Sequence, residues 1–361
     1  MALSKILPAS QEQYAGARNL IINGAMQVAQ RGTSSTGITS SGYKTVDRFK
    51  TNISSLGTYA QSQSTSAPNG FAFSLKMDCT TADASPSSGD YLNVATIFEG
   101  QNLQHLKKGT SDALQMTLSF WVKSAKTGTY IVEFNDTDNS RSTSQSYTIS
   151  SANTWENKTI TVPADTTGTL TNDENSSLEV IFWLAAGSNL TSGTLATVWE
   201  SRTNANRAVG QVNLSDSTSN DWYITGVQLE VGDTATSFEH RSYGDELARC
   251  QRYYWRIVDG NTQSIGTGTY YSSTALGVML HYPVTMRASP SKVVGGGTNY
   301  FRSWRNGGSD DFNGFTNFYN VGKTAGYLQG ESADGVSGTS GQSALVVTNN
   351  ASAYVDLDAE L

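Results

Sequence analysis

Hydrophobic and polar residues alternate most clearly over residues 114–122, where Leu114, Met116, Leu118, Phe120 and Val122 are separated by Gln115, Thr117, Ser119 and Trp121. A period of two puts the first set on one face of a β-strand and the second on the other. After Thr127-Gly128 the alternation resumes with Tyr130, Val132 and Phe134. A turn signal between two such runs predicts a hairpin. Further strands are predicted over 158–162, stopped by Pro163, over 178–184, with Leu178, Val180, Phe182 and Leu184 on one face, and over 222–231. Clusters of Gly, Asn, Asp, Ser and Thr separate these short runs, which is the pattern of an all-β sandwich or jelly roll.

The pattern then changes. Ser242-Tyr-Gly-Asp245 has capping-box spacing, and Leu247, Cys250 and Tyr254 follow at helical intervals, predicting a helix of about three turns between two β regions. Beyond it come the apolar run Leu276-Gly-Val-Met-Leu280 and a glycine-rich stretch holding Tyr300, Phe301, Trp304, Phe312, Phe315, Phe318 and Tyr319, read as a smaller C-terminal β domain. At the end of the chain Val355, Leu357, Ala359 and Leu361 alternate with Asp356, Asp358 and Glu360, so the chain is expected to end inside a strand. The expected organisation is an N-terminal attachment segment over 1–18, a jelly roll over 19–241, a connecting helix over 242–258 and a β domain over 259–361. Ser10-Gln-Glu-Gln13 offers the first segment a helical turn.

Composition supports this reading and narrows the partners. Charged residues make up only 15% of the 361, and 34 glycines punctuate the chain, a profile of turns and strands rather than of a helical bundle. The net charge of −7, from 24 basic and 31 acidic residues, supplies no footprint for phosphates, so no nucleic-acid partner is expected. No segment reaches the ~20 apolar residues of a spanning helix or has a signal-peptide pattern, so no membrane step is expected.

Catalytic chemistry finds little to use. The three histidines, His105, His240 and His281, are scattered, and neither a nucleophile elbow nor a phosphate loop is present. Glu133, Asp136 and Asp138, or Asp310 and Asp311, are the acids from which a glycosidase pair would be drawn. Turn chemistry accounts for such residues equally simply, because Asp and Asn side chains satisfy local backbone groups. No catalytic residue, metal ligand or cofactor site is assigned, and the distant Cys79 and Cys250 are expected to be free thiols.

Aromatic residues are the better candidates. Trp121 and Trp183 fall on the non-core side of their strands, where rings stack against sugars or are buried in an interface. Trp304 and Phe315 stand among glycines, where loops place rigid rings at a tip or the rings form a small core. Trp222, Phe238 and Tyr254 are expected to pack at the junction of jelly roll, helix and second domain.

Four segments carry a resemblance: residues 19–32 (Asn19-Leu-Ile-Ile-Asn-Gly-Ala-Met-Gln-Val-Ala-Gln-Arg-Gly32) with Asp47-Arg48-Phe49, Leu118-Ser-Phe-Trp-Val-Lys-Ser124, residues 222–254 with Val227-Gln-Leu-Glu230, and Pro283-Val-Thr-Met-Arg-Ala-Ser-Pro290. Together they resemble the tail-fibre or receptor-binding proteins of tailed bacteriophages, and the first domain is similar to carbohydrate-binding jelly rolls. The resemblance implies a virion location, a homotrimer, docking on a tail adaptor or the capsid, and contact with host surface glycan. It also implies that the opening Asn-Gly segment lies beside the closing Val-Gln-Leu-Glu strand. Such modules often hold a structural calcium there, but Ala25-Met26-Gln27 lacks the acids, so none is expected. Capsid decoration, with no receptor role, is the alternative the resemblance leaves open, and a tailspike glycanase is a third.

Overall fold

The computed structural model describes residues 18–361. The expected cap at Ser10 and the apolar Ile6-Leu7-Pro8 of the attachment segment lie outside them. Two compact units are formed, the first reaching Glu246 and the second comprising Leu247–Leu361. The protein is all-β, a sandwich followed by a short helix and a smaller β unit.

In the first unit one sheet has six strands, in the spatial order Ser34–Ile38, Thr58–Ser64, Ser74–Thr81, Asp221–Val231, Met116–Ser124 and Glu156–Val162. The facing sheet has seven: Glu200–Ser201, Arg141–Ile149, Gly128–Asp136, Ser176–Ala186, Tyr91–Glu99, Lys50–Ser54 and Gly42–Tyr43. Their inward residues form one core in which Leu118, Phe120 and Val122 meet Val132, Phe134, Phe182 and Trp222. Phe120 and Phe182 pack edge to face at 5.2 Å between ring centres.

The predicted hairpin around Thr127-Gly128 does not form. Met116–Ser124 and Gly128–Asp136 belong to opposite sheets, so the chain crosses the sandwich at that turn. Alternation specifies which side of a strand is apolar, and strands of facing sheets satisfy the same core as well as paired ones do. Gly128–Asp136 instead pairs with Arg141–Ile149, with Asp136 opposite Arg141.

The opening segment lies beside the closing strand. Leu20 N–H donates to the Leu229 carbonyl at 2.9 Å, Val227 N–H to the Gly24 carbonyl at 2.9 Å, and Asn19 Nδ2 to the Val227 carbonyl at 3.1 Å. A side chain at Gly24 would collide with that Val227 carbonyl, so glycine permits the approach. Asn23, in the left-handed region at φ 62°, donates through Nδ2 to the carbonyls of Val28 and Asp47 and accepts from Val28 N–H. Residues 19–32 and 222–254, two of the segments that carry the resemblance, thus meet where the sandwich closes.

The helix spans Tyr243–Gln251, and its cap is the Ser242–Asp245 pair: Asp245 N–H donates to Ser242 Oγ at 3.2 Å and Ser242 Oγ to Asp245 Oδ2 at 2.7 Å. Tyr254 begins a strand, Tyr254–Asp259, rather than a last helical turn. Its aromatic and β-branched run, Tyr254-Trp-Arg-Ile-Val258, favours extended backbone.

The second unit is also a two-sheet arrangement. Tyr354–Asp358 lies between Tyr254–Asp259 and Ser291–Gly295 in a three-stranded sheet. A seven-stranded sheet runs Gly308–Phe312, Phe301–Arg305, Ser343–Thr348, Ser264–Ser272, Ala275–His281, Ala325–Gly330 and Asn317–Tyr319. Leu276, Val278, Phe301, Leu328, Val346, Val355 and Leu357 share the core between them.

Candidate functional site: an open aromatic face

Because Phe301, Ser303, Ala344, Val346, Val278 and Leu328 point into that core, their neighbours point out. Trp304 pairs with Leu345, and Leu345 with Thr267. One step past the Gly268–Val278 pair stand Thr267 and Met279; Met279 pairs with Tyr327, and Tyr327 with Tyr319. One row therefore crosses six adjacent strands, about 24 Å at the usual strand spacing. Trp304 is 55% exposed, Met279 51%, Leu345 47% and Tyr319 46%. Tyr327 is half-buried, its ring lying across Gly277, where any β-carbon would strike it. Burial pushes the Tyr327 phenol up, and Tyr271 adds to the rise.

A polar row runs alongside: Ser343 pairs with Thr269, Thr269 with Gly277, Gly277 with Gln329, and Gln329 with Asn317. The apolar row thus has hydroxyl and amide groups next to it. Where Trp304, Asn306, Thr267, Ser343 and Leu345 meet, the face holds an open hollow of about 420 Å³. The arginines nearby are neutralised, Arg302 by Asp311 at 2.5 Å and Arg305 by Asp310 at 2.6 Å. Arg302's hydrogen bond holds the Asp311 carboxyl below its ordinary value. Stacking surface bordered by hydroxyls and amides is chemistry for a neutral, hydroxylated ligand.

Of the four residues expected to contact a ligand, Trp304 alone lies on this face, joined there by Tyr319 of the same glycine-rich stretch. Phe315 is 3% exposed and packs 5.0 Å from Phe301 and 5.4 Å from Phe312, so its expected ligand contact is corrected to a core role. Trp183 is likewise corrected: it points away from the sandwich core, as its parity requires, but is 1% exposed. With Ile131, Ile181 and Ala95 it forms a satellite core closed by Leu190 and Ala208. Its Nε1 donates to Glu133 Oε2 at 3.0 Å, and Arg207 Nε donates to Glu133 Oε1 at 2.8 Å. Burial pushes the Glu133 carboxyl up, with Arg207 opposing. The chain's own excursion over residues 187–212, rather than another subunit, covers this face.

Trp121 is half-buried on the outer side of the six-stranded sheet. Trp222 is fully buried 6.1 Å from Phe182, which places it in the first core rather than at a junction. Phe238 packs edge-on against Phe71 at 5.0 Å and His240 at 4.9 Å within the first unit. Tyr254 is a buried strand residue of the second, opposite Asp358. The acids considered for a glycosidase pair are engaged: Glu133 and Asp310–Asp311 as above, Asp136 with Lys108, and Asp138 accepting Thr171 N–H at 2.8 Å. Met279, Leu345 and Tyr327 were not singled out from the sequence, although the alternation around Gly277 and within Ala325–Gly330 carries their parity.

No protein-family model matches the chain, and no curated protein matches it. Among solved structures, the enzymatically active domain of tailspike protein 4 of bacteriophage CBA120 is similar at 13% identity and a TM-score of 0.30, over 59% of this chain and 21% of that one. The chain thus spans about a fifth of that domain's length. A putative sugar binding protein from Bacteroides thetaiotaomicron is similar over 59% of this chain and 100% of its own, at 12% identity and a TM-score of 0.30. A family 11 carbohydrate-binding module of a Clostridium thermocellum cellulase is similar over 62% and 97%, at 11% identity and a TM-score of 0.26.

Proposed function

We propose that this chain is a fibre-like virion protein of a tailed bacteriophage that contacts neutral host-surface glycan through the open face of its C-terminal seven-stranded sheet. The observation that carries the binding role is the row Trp304, Leu345, Thr267, Met279, Tyr327, Tyr319, exposed at every position but the half-buried Tyr327 and bordered by Ser343, Thr269, Gln329 and Asn317. Sugar rings present C–H faces to such side chains while their hydroxyls meet the amides. The virion assignment rests on the resemblance in residues 19–32, 47–49, 118–124, 222–254 and 283–290. A homotrimer belongs to the same proposal, since three parallel weak sites raise effective affinity without new contacts.

Competition for the host tests the reading. Excess purified protein is expected to slow phage adsorption, and Trp304→Ala with Tyr327→Ala to remove that inhibition while light scattering still gives a trimer. Inhibition unchanged in the double variant moves the site elsewhere. Failure of the wild-type protein to inhibit replaces the adhesin with a capsid-decoration protein.

A further inference from the structure

A second aromatic row lies on the outer side of the six-stranded sheet, in the first unit. Lys76 pairs with Tyr223 and Tyr223 with Lys123, while Trp155 immediately precedes Glu156, which pairs with Val122. Lys123 Nζ stands 4.1 Å from the centre of the Tyr223 ring and 5.3 Å from that of Trp155. Trp121, two residues before Lys123, shares its side of the strand and pairs with the exposed Asn157.

The two lysines of this row differ in one respect. Lys76 has carboxylates at 3.3 Å (Asp78) and 3.8 Å (Asp221). Lys123 has none within ion-pairing distance among the described residues; it donates to Ser66 Oγ at 2.7 Å and otherwise meets ring faces. An ammonium group carries three donors, so two stay available. Burial lowers the Lys123 pKa and Asp221 opposes it, as for a cation whose lost hydration is only partly replaced. With Lys76 matched by Asp78 and Asp221, Lys123 is the one cation of the row left without a carboxylate among the described residues, a single positive charge that suits one singly charged anion better than a phosphate dianion.

We infer that this row is a second ligand site, selective for the carboxylate of an acidic sugar. The carboxylate accepts from Lys123 Nζ, the sugar ring lies against Trp121 or Trp155, and Asn157 meets a hydroxyl. The site shares no residue with the neutral-glycan face, so either can fail without the other.

The test is a titration of the full chain with glucuronate, galacturonate, glucose and the methyl ester of glucuronate, read from the indole N–H shifts of Trp121 and Trp155. At least one free uronate is expected to move these signals, and the ester and glucose are not. Lys123→Met is expected to weaken uronate binding by at least ~10-fold, the scale of a lost charge-assisted contact. Lys123→Arg is expected to retain binding, Trp304→Ala to leave it unchanged, and added salt to weaken it in the wild-type chain. Equal responses to glucose and glucuronate, no response to either uronate, or binding untouched in a folded Lys123→Met variant would overturn the site and leave the Lys123 cage as packing.

Discussion

The two units each turn a tryptophan away from a sandwich core, and the fates of those rings are opposite. Trp183 leaves the seven-stranded sheet of the first unit and is roofed by Leu190 and Ala208, with Glu133 clamped between its indole and Arg207. Trp304 leaves the seven-stranded sheet of the second unit and meets no such roof among the described residues, more than half its surface remaining exposed. The same period-two logic produced both. What separates a covered ring from an open one is therefore the covering segment, a tertiary property absent from the strand itself.

Stability measurements separate the two most sharply. Trp183→Ala is expected to cost about 3–5 kcal/mol in denaturant unfolding, the range for deleting a fully buried ring with its cavity. Trp304→Ala is expected to stay within about 0.5 kcal/mol, as for surface substitutions that touch no special feature. Comparable losses at both positions would mean that the second face is also covered and would end the contrast.

A smaller effect probes the clamp. Arg207→Met leaves the buried Glu133 carboxylate without its cation, and breaking such a pair costs about 3 kcal/mol near neutral pH. Burial already pushes the Glu133 carboxyl up, and loss of Arg207 pushes it further. A carboxyl whose folded pKa lies above its unfolded value favours the fold at low pH, and that contribution is lost as pH rises through the folded value. The variant's deficit against the parent is accordingly expected to shrink on acidification, read from urea midpoints across the acidic range. A pH-independent deficit would show that Arg207 acts through packing alone.

Much of the fold was legible in the alternation. The strand around Phe120, the closing strand, the capped helix and the C-terminal strand are read directly from residue order, as is the outward parity of Trp121 and Trp183. Partnership was not: Leu118 and Val132 are apolar in the same way whether their strands pair or face each other across a core. Nor was the roof over Trp183, because Leu190, Leu195 and Ala208 are scattered through a Ser-, Thr- and Asn-rich excursion with no period. In the second unit the glycines hid the strands that sort Phe301 and Phe312 inward and Trp304 outward, and the loop that tucks Phe315 against them has no period at all. Met279 was concealed by an apolar run, Leu276-Gly-Val-Met-Leu280, whose every other member is buried.

The most direct measurement is oxidative footprinting of the full-length protein with and without host envelope polysaccharide, reading Trp304, Met279, Tyr319 and Trp183 together. The account predicts that Trp304, Met279 and Tyr319 are reactive in the free protein and become protected as a group when polysaccharide is added, while Trp183 is unreactive throughout. Unchanged reactivity of Trp304 and Met279 on adding polysaccharide, or protection already complete in the free protein, would contradict an open glycan-binding face.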